Sequence, residues 1–263
     1  MENRIDSLFK YKSGTVLSVY FTAGYPNLND TLTIAKELEA NGVDMLEIGI
    51  PFSDPLADGP IIQNSSKIAI QNGMCIELLL EQLITLRKHI SIPVLLMGYY
   101  NPMLQYGVVS FLEKIAAIGI DGLILPDMPI EEYQENYEAD FKRLNLKNIL
   151  LITPQTSDIR IRYIDSVSGG FIYVVSSSAT TGGHTDFSEK REAYLSKISS
   201  MKLNNPCVVG FGIQNKEDVK QVGKYADGTI IGTAFINAIA QGELKQQIKN
   251  FIKTVSHDTA VRT

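Results

Sequence analysis

Short runs of apolar residues recur along the chain, and the stretches between them place hydrophobic residues at helical spacing. Eight runs read as strands: Leu17 to Phe21, Met45 to Ile48, Val94 to Met97, Gly122 to Leu125, Ile149 to Ile152, Phe171 to Val175, Pro206 to Val209 and Gly228 to Ile231. Most are apolar throughout, the pattern of parallel strands covered on both faces. Between them lies helix punctuation. Asp30 can cap a helix bearing Leu32, Ile34, Ala35 and Leu38, which Gly42 can end; Glu77 to His89 and Phe111 to Ile118 repeat the pattern. Eight strand and helix units favour an α/β fold, a (β/α)8 TIM barrel, over an open doubly wound sheet, although periodicity does not itself demonstrate closure. Two further helical pieces, Met1 to Lys10 and part of Pro60 to Gln71, are expected outside the barrel or beneath it. No linker or low-complexity tract interrupts the repeat, so residues 1–263 read as one domain.

A net charge of -5 leaves no basic face for nucleic acid. The N-terminus mixes charges with Ile5, Leu8 and Phe9 and lacks the apolar core of a signal peptide, and no apolar run reaches the ~20 residues of a membrane span. A cytoplasmic protein with no membrane partner is expected. Cys75 and Cys207 lie in apolar surroundings and read as buried thiols. His89, His184 and His257 have no carboxylate or cysteine at ligand spacing, so no metal centre is expected.

The most informative stretch is Leu46 to Pro60. Glu47 sits inside an apolar run, where an ionised carboxylate costs several kcal/mol unless something pairs or uses it. Asp58 follows in a loop whose backbone is shaped by Pro51, Pro55, Pro60 and Gly59. In a barrel the reactive groups lie at the carboxyl ends of strands. Those places hold Phe21 and Thr22, then Glu47 through Asp58, then Tyr99, Tyr100 and Asn101, then Asp127 and Thr153, with Tyr173 on strand six. Tyr11 and Tyr20 read as packing.

The last three loops are glycine-rich: Thr181-Gly182-Gly183, Gly210-Phe211-Gly212 and Gly232-Thr233. Barrels commonly bind phosphate after strands seven and eight, where backbone N–H groups and the helix starting near Thr233 would face the anion. Alone, each glycine reads as a turn residue with positive φ; three at consecutive strand ends read as a phosphate site. Asn215 stands where a dinucleotide fingerprint needs its third glycine, which argues against nicotinamide binding. Ser176 to Ser188 is long for a barrel loop and reads as a lid over the carboxylates.

Leu46 to Pro60 resembles the signature of the tryptophan synthase α chain family. Phe21-Thr22-Ala23-Gly24-Tyr25-Pro26, Met97-Gly98-Tyr99-Tyr100-Asn101-Pro102, Leu125-Pro126-Asp127-Met128-Pro129 and Val209-Gly210-Phe211-Gly212-Ile213 support it. The resemblance implies a lyase that cleaves indole-3-glycerol phosphate to indole and glyceraldehyde 3-phosphate by a retro-aldol reaction, with no cofactor in this chain. It implies Glu47 as general acid and base and Asp58 as partner of the indole N–H. It further implies Phe21, Tyr99, Tyr173 and Thr181 against the substrate, and Gly182, Gly212, Gly232 and Thr233 on its phosphate. A β chain carrying pyridoxal phosphate is the implied partner, in an α2β2 complex, facing loops around Pro51 to Asp58 and Ser176 to Ser188. The chain departs from the family at Ala179-Thr180 in the lid and at Thr233, where serine is common; the first change bears on lid closure and coupling to the partner. Two other readings fit the glycine loops or the lid: a sugar-phosphate isomerase or synthase, and a subunit that only regulates a partner.

Overall fold

The computed structural model describes residues 2–55, 57–176, 189–210 and 212–256. Eight parallel strands close into a barrel in sequence order, from β1 (Val16–Thr22), β2 (Met45–Gly49), β3 (Val94–Met97) and β4 (Gly122–Ile124) to β5 (Lys147–Ile152), β6 (Ile172–Val175), β7 (Cys207–Gly210) and β8 (Gly228–Ile231), which pairs back onto β1. Helices alternate with the strands: α1 (Arg4–Tyr11) precedes β1, α2 (Thr31–Ala40) follows it, and α3 (Pro60–Gln71) and α4 (Ile76–Leu83) follow β2. Then come α5 (Tyr100–Tyr106) and α6 (Val108–Ile118), and, around a π-helical turn at Tyr133–Tyr137, α7 (Ile130–Glu132) and α8 (Glu138–Arg143). The remaining helices are α9 (Asp158–Val167), α10 (Glu189–Ser200), α11 (Lys216–Val222), α12 (Thr233–Ala238) and α13 (Leu244–Val255).

Every strand residue with an apolar side chain must face either the barrel axis or the helices, and alternation sorts them. Val16, Tyr20, Met45, Leu95, Ile124, Ile149, Tyr173, Val208 and Ile230 fill the interior, while Leu17, Val19, Phe21, Leu46, Ile48, Leu96 and Leu123 pack outward against the helices. The interior has a floor. Ile5 of α1 is fully buried in the axial cluster, with Leu8 and Phe9 packed beside it, and burying such a side chain stabilises the fold by ~2 kcal/mol. Asn3 fixes that helix under the barrel. Its Oδ1 accepts from Ile5 N at 2.9 Å, and its Nδ2 donates to the carbonyls of Asp121 and Asn145, which lead into β4 and β5. The first extra helix therefore lies beneath the barrel; α3 is the second.

Three local expectations change. Asp30 precedes α2 but makes no side-chain cap; its carboxylate instead accepts from the backbone and side chain of Asn27. The segment from Glu77 breaks after Leu83 and tightens into a 3-10 turn at Leu86–Lys88. There Arg87 turns inward to donate to the carbonyls of Gly119 and Ile92 and to Asp121. Cys75 is exposed because it stands just before α4 rather than inside it; Cys207, on β7, is buried and its thiol pKa is pushed up to about 12 by that burial. No helix among the described residues is long and apolar enough to cross a membrane.

Candidate active site

Glu47 shares its phase on β2 with Met45, so its side chain enters the barrel interior, where it is fully buried. Its register partner on β1 is Tyr20, and Ser18 one pleat below donates its hydroxyl to Glu47 Oε1 at 2.8 Å. The other oxygen, Oε2, is buried with no hydrogen-bond partner among the described residues. Burial disfavours the carboxylate and pushes the pKa up to about 8, against a smaller opposing effect of the Ser18 hydrogen bond. Burial therefore favours the protonated form of Glu47 over its carboxylate.

Asp58 arrives by a different route. Gly59 and Pro60 start α3, with proline at the helix position that has no N–H to lose, and Asp58 stands just ahead of the positive end of that helix. Its carbonyl accepts from Gln63 Nε2 at 2.8 Å, which ties the loop to the first turn. Tyr99, at the end of β3, donates its phenol to Asp58 Oδ2 at 3.0 Å and accepts from Ala57 N at 3.1 Å. Asp58 is nearly buried, which raises its pKa, while the Tyr99 hydrogen bond works in the other direction. The two acids thus differ in kind: one carboxyl is desolvated inside the barrel, and one is wired to a phenol at its rim.

Tyr173, on β6, completes the upper interior. It is buried, and a Cβ on Gly210 of β7 would fall 2.2 Å from its phenolic oxygen, so Gly210 is the space the ring occupies. Desolvation, then the nearby carboxyls of Glu47 and Asp58, keep its phenol un-ionised. Tyr20 is arranged in the same way. Its hydroxyl lies over Gly49, where a Cβ would again be 2.2 Å away, and its ring lies against Gly232. That hydroxyl meets Thr22 Oγ1 at 3.5 Å, Thr22 meets Ser65 Oγ at 2.7 Å, and Ser65 donates to the Ile62 carbonyl.

Phe21 is corrected by this geometry. Its fully buried side chain points outward into the layer between barrel and helices, and Tyr20, read from sequence as packing, takes the interior position beside the acids. One step of pleat separates the two. Asp127 also lies apart: exposed, it accepts from Tyr100 N at 2.9 and 3.1 Å and so caps the start of α5. Tyr100 turns its hydroxyl to Glu132 and Tyr137, away from Asp58. Thr153 closes a local turn with Thr156. Ser18 and Ser65 were missed, because a small hydroxyl inside a strand or helix gives no signal of its own.

Gly212 has a left-handed φ of 73°, which favours glycine, and its carbonyl accepts from Arg191 Nη1. Gly232 precedes α12, which begins at Thr233. Thr181, Gly182 and most of the expected lid, residues 177–188, lie outside the described residues, as does Phe211. Among the described residues no group of three or more His, Cys, Asp or Glu side chains could hold a metal ion.

Known proteins share both the sequence and this architecture. A family model described as tryptophan synthase alpha chain matches residues 7–262. The chain is 57% identical over 226 residues to the tryptophan synthase alpha chain of Flavobacterium johnsoniae, covering 86% of this chain and 89% of the relative. It is 51% identical over 253 residues to that of Flavobacterium psychrophilum, covering 96% and 99%. The crystal structure of tryptophan synthase subunit alpha from Legionella pneumophila superposes with a TM-score of 0.86 at 34% identity, over 96% of each chain. A buried acid, a second acid on the proline loop and a match across nearly the whole barrel lead to one conclusion: this chain belongs to the tryptophan synthase alpha chain family.

Proposed function

We propose that Glu47 and Asp58 carry out, in this chain, the lyase reaction of its family, the cleavage of indole-3-glycerol phosphate to indole and glyceraldehyde 3-phosphate in tryptophan biosynthesis. The observation that carries the proposal is a carboxyl buried inside the barrel with one unpaired oxygen, beside two tyrosines, Tyr20 and Tyr173, that also feel the second acid, Asp58. Glu47 gives its proton to C3 of the indole, which leaves the ring as an electron-poor indoleninium. Asp58 accepts the ring N–H and stabilises that positive charge, the role its link to Tyr99 and the start of α3 supports. Glu47, now a carboxylate, removes the proton of the glycerol hydroxyl next to C3. The C–O bond becomes a carbonyl, the C3 to glycerol bond breaks, and its electrons restore the aromatic ring. Glu47 ends protonated, as it began.

Tyr173 fits beside the reacting hydroxyl, and Tyr20 takes the place against the indole that the sequence suggested for Phe21. Gly212, Gly232 and Thr233, with Thr181 and Gly182, are assigned to the phosphate, which main-chain N–H groups and a hydroxyl can hold without a basic side chain. The family works with a beta chain. We assign to that partner the pyridoxal phosphate chemistry that joins indole to serine, in a cytoplasmic α2β2 complex of single-domain α chains. Release of indole from indole-3-glycerol phosphate by the purified chain, followed spectroscopically with and without a beta chain, tests the function. Failure of indole to appear in both cases would overturn it.

A further inference from the structure

Arg191 takes no part in the chemistry above, yet it stands directly against the loop assigned to phosphate. It lies in the first turn of α10, where the positive end of a helix disfavours a cation, and is nevertheless buried, with 9% exposure. Its Nη1 donates to the Gly212 carbonyl at 3.4 Å, and the open side of Gly212 faces the same atom, 3.5 Å from where a Cβ would be. Asp218 of α11 supplies an opposing charge and also accepts from Gln214 N at 2.9 Å, bracing the loop from its far end. Residues 210–215 and 232–233 themselves contain no lysine or arginine.

We infer that Arg191 is a positioning residue of the anion cradle, one that sets its affinity for a phosphate dianion; the inference rests on the reading of Gly212 as a phosphate residue. A peptide unit is planar and trans, so a Gly212 carbonyl drawn toward Arg191 turns the Ile213 N–H to the opposite side. The guanidinium thereby orients a donor without touching the ligand.

The test uses the full chain, with glycerol 3-phosphate as an inhibitor of indole release and indole itself as the uncharged probe. Arg191→Gln is expected to weaken glycerol 3-phosphate and raise KM about tenfold or more, with kcat within about threefold and indole affinity within about twofold, whereas Arg191→Lys keeps affinity within about threefold. Unchanged glycerol 3-phosphate affinity in Arg191→Gln, an equal loss for indole, or an equal loss in Arg191→Lys would overturn it. Should Arg191→Gln not fold, Arg191→Met decides by the same readings: weaker glycerol 3-phosphate binding with indole affinity kept supports the inference, and no change overturns it. Gly232→Val separates the two readings, since its side chain would lie against Tyr20 at the start of α12, next to Thr233. If that variant loses glycerol 3-phosphate while Arg191→Gln does not, only the role of Arg191 fails; if both bind normally, the cradle itself is misassigned.

Discussion

Tyr99 and Asp58 fix one another across two loops: the phenol donates to Asp58 Oδ2 at 3.0 Å while the neighbouring Ala57 N–H donates back to the phenolic oxygen at 3.1 Å. The ring of Phe52 lies 5.1 Å from that of Tyr99, so the proline loop is held by packing as well. Removing the hydroxyl leaves a nearly buried carboxylate with fewer donors. Tyr99→Phe is expected to lower kcat/KM by about 10- to 100-fold, the value of a hydrogen bond to a charged group. The Tyr99 bond favours the ionised form of Asp58, so its loss raises the Asp58 pKa further. The acidic limb of the pH profile should move to higher pH; a profile that stays in place, with activity intact, would free Asp58 from this control.

Glu47→Gln keeps the size of the side chain and removes the transferable proton. Turnover should fall by roughly 10²–10⁴, with glycerol 3-phosphate affinity nearly unchanged. Steady-state kinetics beside an inhibition curve read both quantities.

The same substitution should change how stability depends on pH. The pKa of Glu47 is raised on folding, so the native state binds more protons than the unfolded chain between the ordinary carboxyl value and about 8. Stability from this group is complete at low pH and declines as pH rises through that window, by up to ~1.4 kcal/mol per pH unit. Denaturant unfolding of Glu47→Gln at pH 5 and pH 9 should show the variant gaining on the wild type as pH increases. Parallel curves would mean that Glu47 is not held protonated.

Gly210→Ala tests the seat of Tyr173. The added methyl would lie 2.2 Å from the phenolic oxygen, closer than any real contact, so the ring must shift. A loss of ~1–3 kcal/mol in stability and at least tenfold in kcat is expected. Activity equal to wild type would place Tyr173 outside the reaction.

The eight strands were legible because parallel strands covered on both faces leave long apolar runs bounded by glycine and proline, and Glu47 was legible because a carboxylate is so costly inside one. The same property hid the pleat. In β1, Val19, Tyr20 and Phe21 are all buried, so nothing in their composition says which faces the axis; the family resemblance points to Phe21 for a place against the substrate, whereas Tyr20 holds the interior position. Asp127 stands at a strand end, where reactive groups are expected, and instead caps α5, a distinction that depends on the position of Tyr100 N in space. Ser18 could be found only once β1 and β2 were paired in register, which brings its hydroxyl to Glu47.

The plug that Ile5 forms below the axial cluster also bears on how the reaction is supplied with protons. Ile5 is fully buried there, and Glu47 has no exposed surface of its own. A catalyst so isolated would stall if each turnover drew a hydrogen ion from bulk solvent. The proposed cleavage draws none, because what the carboxyl lends to carbon it recovers from oxygen, and a buried base is therefore compatible with sustained turnover.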